Sequence, residues 1–342
     1  MRVLVTGGAG FIGTHIVDAL LGAGDEVRIL DRVPVVGWDR GAEAIVGDVT
    51  DPDAVASALR GIDAVCHQAA KVGLGVDFGD PVGYVQDNDL ATAVLLGALH
   101  EGRFRGPFVL ASSMVVYGEG RYRCAEHGRV APGPRRAVDL DGGQFEPPCP
   151  ECGAPLAPES VPESARLDPR NVYAATKVAQ EHLSAAFARE HSDVTVTALR
   201  YHNVYGPGMP RNTPYAGVSA IFADSLASGR APQVFEDGGQ LRDFVHVHDV
   251  AAANVLALRA GVPGAFNVAS GSPRRLLDMA DALAEAFGPG APRPEVVGGW
   301  RAGDVRHVFA NPDRARDELG FRVNVDFTTG MRELARLLET GR

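Results

Sequence analysis

Short apolar runs rich in Val and Ile recur along the first third of the chain, at 2–6, 26–30, 44–46, 63–67 and 107–111. Between them, at 11–22, 51–60 and 86–101, apolar residues return every third or fourth position. The short runs predict strands and the longer period predicts helices, because each spacing gathers apolar side chains on one face of its element. Strands alternating with helices predict βαβ units, and near-continuous apolar strands predict a parallel sheet covered on both faces. Asp51-Pro52 and Asp168-Pro169 read as helix starts, since an acidic cap accepts from free first-turn amides and proline suits the first helical position. The second opens a long helix over about 170–190, followed by a strand at 194–199. Residues 203–240 are mixed, 244–247 is an apolar strand, 248–260 is an Ala-rich helix, and short elements with Pro and Gly turns complete the chain.

The rhythm stops from Gly118 to about Ser164, where Gly, Pro, Arg and Cys dominate without a sustained apolar period. That composition predicts an insertion carried on loops.

With 342 residues, 45% hydrophobic and 22% charged, the chain is long enough for a sizeable core and has the make-up of a globular protein. A net charge of −10 opposes non-specific nucleic-acid binding, which needs clustered cations to neutralise phosphates. No run is long enough to span a bilayer. The apolar start, Met1 to Thr6, lacks a basic flank and breaks at Gly7, Gly8 and Gly10, so it reads as a strand rather than a signal peptide, and the expected location is cytoplasmic.

Val3-Leu4-Val5-Thr6-Gly7-Gly8-Ala9-Gly10-Phe11-Ile12-Gly13 gives a strand, a glycine turn and a helix start. Glycines at 7, 10 and 13 let backbone approach a pyrophosphate, whose charge the first amides of the helix meet. Asp31 ends the second strand about 20 residues on, where a carboxylate accepts from ribose hydroxyls and repels a 2′-phosphate, favouring NAD over NADP. Arg32 beside it weighs the other way. Asp48, with Val49 after the third strand, is placed to touch the adenine or, alternatively, to cap a turn.

Tyr173-Ala-Ala-Thr-Lys177 puts two side chains on one helix face, where an ammonium near a phenol favours the phenolate. Read alone, the pair is equally a surface pair. Ser113 ends an apolar strand and so falls at the carboxyl edge of the sheet, where open α/β folds bind ligands.

The ordered series GxxGxxG, His67-Gln-Ala-Ala70, Ser112-Ser113-Met-Val-Val-Tyr-Gly118, Tyr173-Ala-Ala-Thr-Lys177, Arg200-Tyr-His-Asn-Val-Tyr-Gly-Pro207 and Arg242-Asp-Phe-Val-His-Val-His-Asp249 resembles the extended short-chain dehydrogenase/reductase family, specifically its sugar-nucleotide epimerases and dehydratases. The resemblance covers nearly the whole chain outside the insertion. It implies an α/β Rossmann-type doubly wound parallel sheet in residues 1–200, with 241–262 returning to it and 203–240 and 263–342 forming a smaller C-terminal substrate-binding part. It implies that Gly7, Gly10, Phe11, Ile12, Gly13, Asp31, Asp48, Val49, Ala69, Ala70, Asn88, Tyr173 and Lys177 hold NAD. It makes Ser113, Tyr173 and Lys177 the catalytic group, and Ser113, Asn203, Arg242 and Arg301 the contacts to a nucleoside-diphosphate sugar. As bare sequence features, Arg242 and Arg301 are more often surface charges. Family dehydratases carry Thr-Asp-Glu where this chain has Ser113-Met114-Val115, so the acids that eliminate water are missing. The implied activity is an NAD-dependent 4-epimerase of dTDP-L-rhamnose or UDP-hexose type, working through a transient 4-keto sugar and retained NAD. A 4-ketosugar reductase or dehydrogenase and a non-catalytic NAD-sensing protein are the alternatives. A homodimer is implied, in which the helix after Asn88 and the helix carrying Tyr173 pack against their mates, and small residues such as Ala174, Ala175, Ala179, Ala185 and Ala186 allow close approach. His202 stands where an aromatic residue is usual, either titrating or packing.

The 55 residues 118–172 lie between Tyr117 and Tyr173 and hold Cys124-Ala-Glu-His127 and Cys149-Pro-Glu-Cys152-Gly153. These pairs resemble the knuckles of a zinc ribbon, with three Cys and one His for a structural Zn²⁺; a redox CxxC and incidental thiols are the competing readings. Cys66, at the end of an apolar strand, reads as a small core residue.

Overall fold

Helices cover both faces of one parallel sheet in the computed structural model, in which residues 1–34, 41–73, 78–211, 217–301 and 303–339 are described. Strands β1 (Arg2–Thr6), β2 (Glu26–Asp31), β3 (Glu43–Val46), β4 (Ala64–His67) and β5 (Gly106–Ser113) alternate with helices α1 (Phe11–Gly22), α2 (Pro52–Ala58), α3 (Pro81–Tyr84) and α4 (Ala91–Glu101). β6 (Arg121–Cys124), β7 (Gly128–Val130), α5 (Ala137–Asp141) and β8 (Ala157–Glu159) follow. Next come α6 (Val172–Glu190), β9 (Val194–Tyr201), β10 (Asn203–Tyr205), α7 (Val218–Ala227), β11 (Gln233–Val234), β12 (Leu241–Arg242), β13 (Phe244–His246) and α8 (Val247–Ala260). β14 (Gly264–Val268), β15 (Arg274–Arg275), α9 (Leu276–Ala286), β16 (Glu295–Val296), α10 (Asp313–Leu319) and α11 (Phe327–Glu339) complete the order.

The central sheet runs β3-β2-β1-β4-β5-β9-β14 with every neighbour parallel. Ile16, Val17 and Leu20 of α1 share one core with Val250, Ala253 and Ala257 of α8, while Val55 of α2 and Leu95, Leu96 and Leu99 of α4 share a second with Leu4 and Phe108. The sheet is therefore buried on both faces, as its near-continuous apolar strands require. A third core, with Phe222, Leu226, Met279, Leu283, Met331 and Leu334, joins α7, α9 and α11 in the C-terminal lobe. Among the described residues no helix is long and apolar enough to cross a membrane.

Three boundaries differ from the sequence reading. β14 pairs with β9, so the sheet takes in residues past 262; a five-residue run bounded by Gly and Pro carries too little period to stand apart from a loop. The long helix starts at Val172, capped by Asn171 Oδ1 accepting from the Ala174 amide at 2.8 Å, because Asp168 pairs with Arg170 and its amide donates to Val116. The insertion is not all loop: β7-β6-β8 form a small antiparallel sheet over Tyr122, Cys124, Cys149 and Leu156.

One ion pair fixes α6 to the sheet. Arg200, at the end of β9 and 4% exposed, donates through Nε and Nη2 to Glu181 of α6 at 2.9 and 2.7 Å and through Nη1 to the Tyr117 hydroxyl at 2.8 Å. Both charges are buried, and removing one strands the other in a medium that cannot solvate it. Arg200→Met is expected to lower unfolding free energy by about 3–5 kcal/mol in chemical denaturation; a loss below ~1 kcal/mol would show that the pair is not what holds the helix.

Candidate active site

β1 and β4 are neighbours whose connections leave in opposite directions, which opens a crevice at their carboxyl ends. Gly7 leaves β1 at φ +68°, and a Cβ there stands 2.7 Å from the Ala69 amide nitrogen. A Cβ on Gly13 stands 2.1 Å from the Gly7 carbonyl. Only glycine allows this loop to pack so closely, and it leads to α1, whose N-cap Gly10 makes no side-chain cap to the first-turn amides. Such a backbone cradle with a free helix start suits a dinucleotide pyrophosphate. Phe11, Ile12 and Gly13 open that helix. Asp31 Oδ2 accepts from the Ala9 amide at 2.9 Å and Oδ1 from Val33 at 3.0 Å, which ties the glycine loop to β2. Arg32 is held by Asp48 at 3.3 Å and Asp87 at 3.0 Å, so the cation that argues for NADP is already paired. Asp48 Oδ1 also accepts from the amide and hydroxyl of Thr50, so the turn-capping bonds are present. Val49 is buried in the core with Leu30 and Val55.

Ala69 and Ala70 follow β4, where His67 bridges Thr6 Oγ1 at 2.7 Å and Thr92 Oγ1 at 3.1 Å. Burial pushes His67 down to about 3, so the bridge is a neutral imidazole. Asn88 sits in a wide helical turn, Val85–Leu90, that joins α3 to α4. Its Oδ1 accepts from the Lys71 amide at 2.7 Å, and Nδ2 donates to the Lys71 carbonyl at 3.0 Å and to Thr176 at 2.9 Å. The side chain thus fastens the segment after Ala70 to α6.

Ser113 at the end of β5 lies beside the Tyr173 phenol in the first turn of α6. Lys177, one turn on, lies 5.9 Å from the Tyr173 ring centre and donates to the Ala111 carbonyl at 2.9 Å. Burial pushes Tyr173 up to about 12, with the Ser113 hydroxyl opposing. Burial also pushes Lys177 down to about 8, against Glu181 and Asp89. In the chain alone the ammonium therefore does not bring the phenol toward neutrality as the spacing suggests. Asp89, raised to about 6 by burial with Lys177 opposing, is an acid beside this group that the sequence reading passed over; its signal is its place one residue after Asn88. Met114 and Val115 occupy the short helical turn after Ser113. His202 is 3% exposed and burial pushes it down to about 3, so it packs as a neutral ring.

Asn203 lies on β10, beside β13. Arg242 on β12 is buried and donates to the carbonyls of Leu241 and Arg306 at 2.9 Å and of Val305 at 2.6 Å, so it is no surface charge. Arg301 is exposed, with its guanidinium 5.0 Å from the Phe235 ring centre. In the insertion, ligand atoms of Cys124, His127, Cys149 and Cys152 all fall within 4.8 Å of one another.

A glycine cradle at the crevice, an acid at the end of β2 and a Ser-Tyr-Lys group at the carboxyl edge define a Rossmann-type dinucleotide protein of the short-chain dehydrogenase/reductase kind. The chain belongs to the NAD-dependent epimerase/dehydratase family, whose profile matches residues 3–137 and 147–269. It is 33% identical to the dTDP-L-rhamnose 4-epimerase of Burkholderia thailandensis, with 97% of this chain and 93% of that protein covered. It is 32% identical to the UDP-glucose 4-epimerase of Mycolicibacterium smegmatis, covering 97% and 96%. The crystal structure of Thermus thermophilus UDP-glucose 4-epimerase in complex with NAD superimposes with a TM-score of 0.78 at 32% identity, covering all of both chains.

Gly13→Ala is expected to lower the NAD carried by the purified protein at least about tenfold, equivalent to roughly 1.4 kcal/mol. Unchanged NAD content in the folded variant would refute the cradle.

Proposed function

We propose that the chain is a nucleoside-diphosphate-sugar 4-epimerase of dTDP-L-rhamnose or UDP-hexose type that keeps its NAD through the reaction. The observation that carries this is the cluster of Ser113, Tyr173 and Lys177 beside the glycine cradle, with the ammonium 5.9 Å from the phenol ring centre, and Met114 and Val115 where elimination of water needs acids. NAD, held by Gly7, Gly10, Phe11, Ile12, Gly13 and Asp31 and closed in by Ala69 and Ala70, supplies a hydride acceptor and its positive nicotinamide. Tyr173 takes the proton of the C4 hydroxyl, and Ser113 hydrogen-bonds that oxygen. Lys177 lies along the same helix face, and the added positive charge lowers the phenol from its buried value. The resulting 4-keto sugar turns within the pocket and is reduced from the other side, as Tyr173 returns the proton. Asn203, Arg242 and Arg301 hold the diphosphate, for which guanidinium forks are suited.

The insertion is read as a structural zinc site. Cys124 Sγ lies 3.7 Å from Cys152 Sγ and 3.6 Å from His127 Nδ1, and Cys149 Sγ is 3.7 Å from His127 Nδ1. Tetrahedral zinc with ordinary bond lengths asks for about 3.8 Å between sulfurs and about 3.6 Å from sulfur to nitrogen. Backbone amides of His127 and Glu126 pull the Cys124 thiol down to about 6, which favours the thiolate. His127 Nε2 faces Glu151 at 3.7 Å, the partner expected for a ligating imidazole.

The protein is further read as a cytoplasmic homodimer. Ala175, Ala185 and Ala186 are exposed on α6, and Val85 and Leu90 on the helical turn that leads into α4; Ala174 is buried within the chain itself and Ala179 is half-buried.

A panel of dTDP-, UDP- and GDP-sugars followed by NMR is expected to show epimers at C4 without added NAD, and Tyr173→Phe to lower turnover at least about 100-fold with NAD content kept. Dependence on added NADH, or comparable turnover in the variant, defeats the proposal. Elemental analysis of protein purified without added metal is expected to find about one zinc per chain; fewer than about 0.2, with all three thiols of the cluster titrating freely, defeats four-ligand coordination.

A further inference from the structure

A cage of buried charge joins the insertion to the C-terminal lobe. Arg135 of the insertion pairs with Glu236 at 2.8 Å, lies 3.7 Å from Glu119 and donates to the Asp304 carbonyl at 2.8 Å. The other Glu236 oxygen meets Arg306 at 2.8 Å, and Arg306 also meets Asp237 at 2.7 Å and Glu146 at 2.6 Å. The Arg306 amide donates to Glu119 at 2.9 Å. His307 contacts Glu146 at 2.8 Å, and its amide donates to the Tyr122 hydroxyl at 3.2 Å. Side chains at 119, 122, 135 and 146 therefore grip segment 304–307, whose carbonyls hold Arg242.

Glu236 has φ +55°, a left-handed backbone that a side chain disfavours. It is 2% exposed, and its amide donates at 2.7 Å to Gly299, two residues before Arg301. Trp300, between them, donates its indole N–H to Asp141 of α5 at 2.9 Å. A buried ionic cage is a poor device for stability alone, since apolar residues of like volume often serve as well. Its paired guanidinium and carboxylate groups fix direction instead. Tyr122 precedes Cys124 by two residues and Glu146 precedes Cys149 by three, so order in the Cys/His cluster passes straight to the cage.

We infer that Arg135 and Glu236 are positioning residues, through which the insertion sets the geometry of Arg242 and Arg301 and hence the affinity for the nucleoside diphosphate. The inference rests on the reading of those two arginines as the diphosphate site.

Calorimetric titration of the NAD-loaded protein with dTDP and with UDP tests it. Arg135→Met is expected to weaken the better-bound nucleotide about tenfold with NAD content unchanged, because it unlinks the insertion from Glu236 and from segment 304–307. Arg135→Met/Glu236→Gly removes both positioning residues, and because they act through one link it is expected to bind about as weakly as Arg135→Met, with NAD content unchanged. Arg301→Ala is expected to weaken binding too. If Arg301→Ala binds like the parent, or the parent binds neither nucleotide, the diphosphate site and the inference fail together. If Arg301→Ala is weakened while Arg135→Met is not, or the double variant binds like the parent, only the inference fails. Should Arg135→Met lose its NAD, Arg135→Lys keeps the charge without the two-pronged geometry, and parent-like affinity there overturns the inference.

Discussion

The geometry of the reacting group depends on how α6 is held against the sheet. Arg200 and Glu181 are both buried, and each satisfies the other through a two-pronged contact that neither could replace with water. Glu181 stands one turn beyond Lys177 and two turns beyond Tyr173, so fixing that carboxylate fixes the rotation of the helix about its axis. Ser113, on the strand beside the one that carries Arg200, then faces the phenol without any further device. The same acid keeps a negative charge near Lys177, offsetting part of what burial takes from its ammonium.

The two anion sites proposed for this chain differ in how they are built. At the crevice, backbone does the work: removal of side chains lets amides of the loop and helix reach outward, and Asp31 ties the loop to β2. In the C-terminal lobe, guanidinium groups do it, and they need scaffolding because a long side chain has many conformations to lose. Arg242 is scaffolded by three carbonyls. The division suits a reaction in which one ligand stays and another must come and go.

The alternation of short apolar runs with helical periods was enough to identify a parallel central sheet, because parallel strands buried on both faces leave an unbroken mark in composition. The close packing at Gly7 and Gly13 was legible for a similar reason: both lie in one short run directly after the first strand. Arg200 was recognisable only as a member of a motif, since its partner is 19 positions away and nothing local marks Glu181 as buried. The cage was illegible altogether. Arg135, Glu146, Glu236 and Arg306 read singly as surface charges, and only the fold brings four segments together so that Arg135, Glu236 and Arg306 pair out of water and Glu146 closes the group from the surface. His202 shows the converse, a titratable residue in a functional motif that burial has made inert near neutrality.

The insertion leaves and re-enters the fold at almost one point, for the Asp168 amide donates to Val116 and Gly118 packs on the Asp168 carbonyl. The ends are therefore already closed by the sheet and helix they join, whatever length of chain runs between them. Closure entropy grows only with the logarithm of loop length, about 0.6 kcal/mol for each doubling. A segment rooted in this way can be lengthened, shortened or exchanged at little thermodynamic expense to the Rossmann core, making this junction a position where new walls can be grafted beside an old reaction centre.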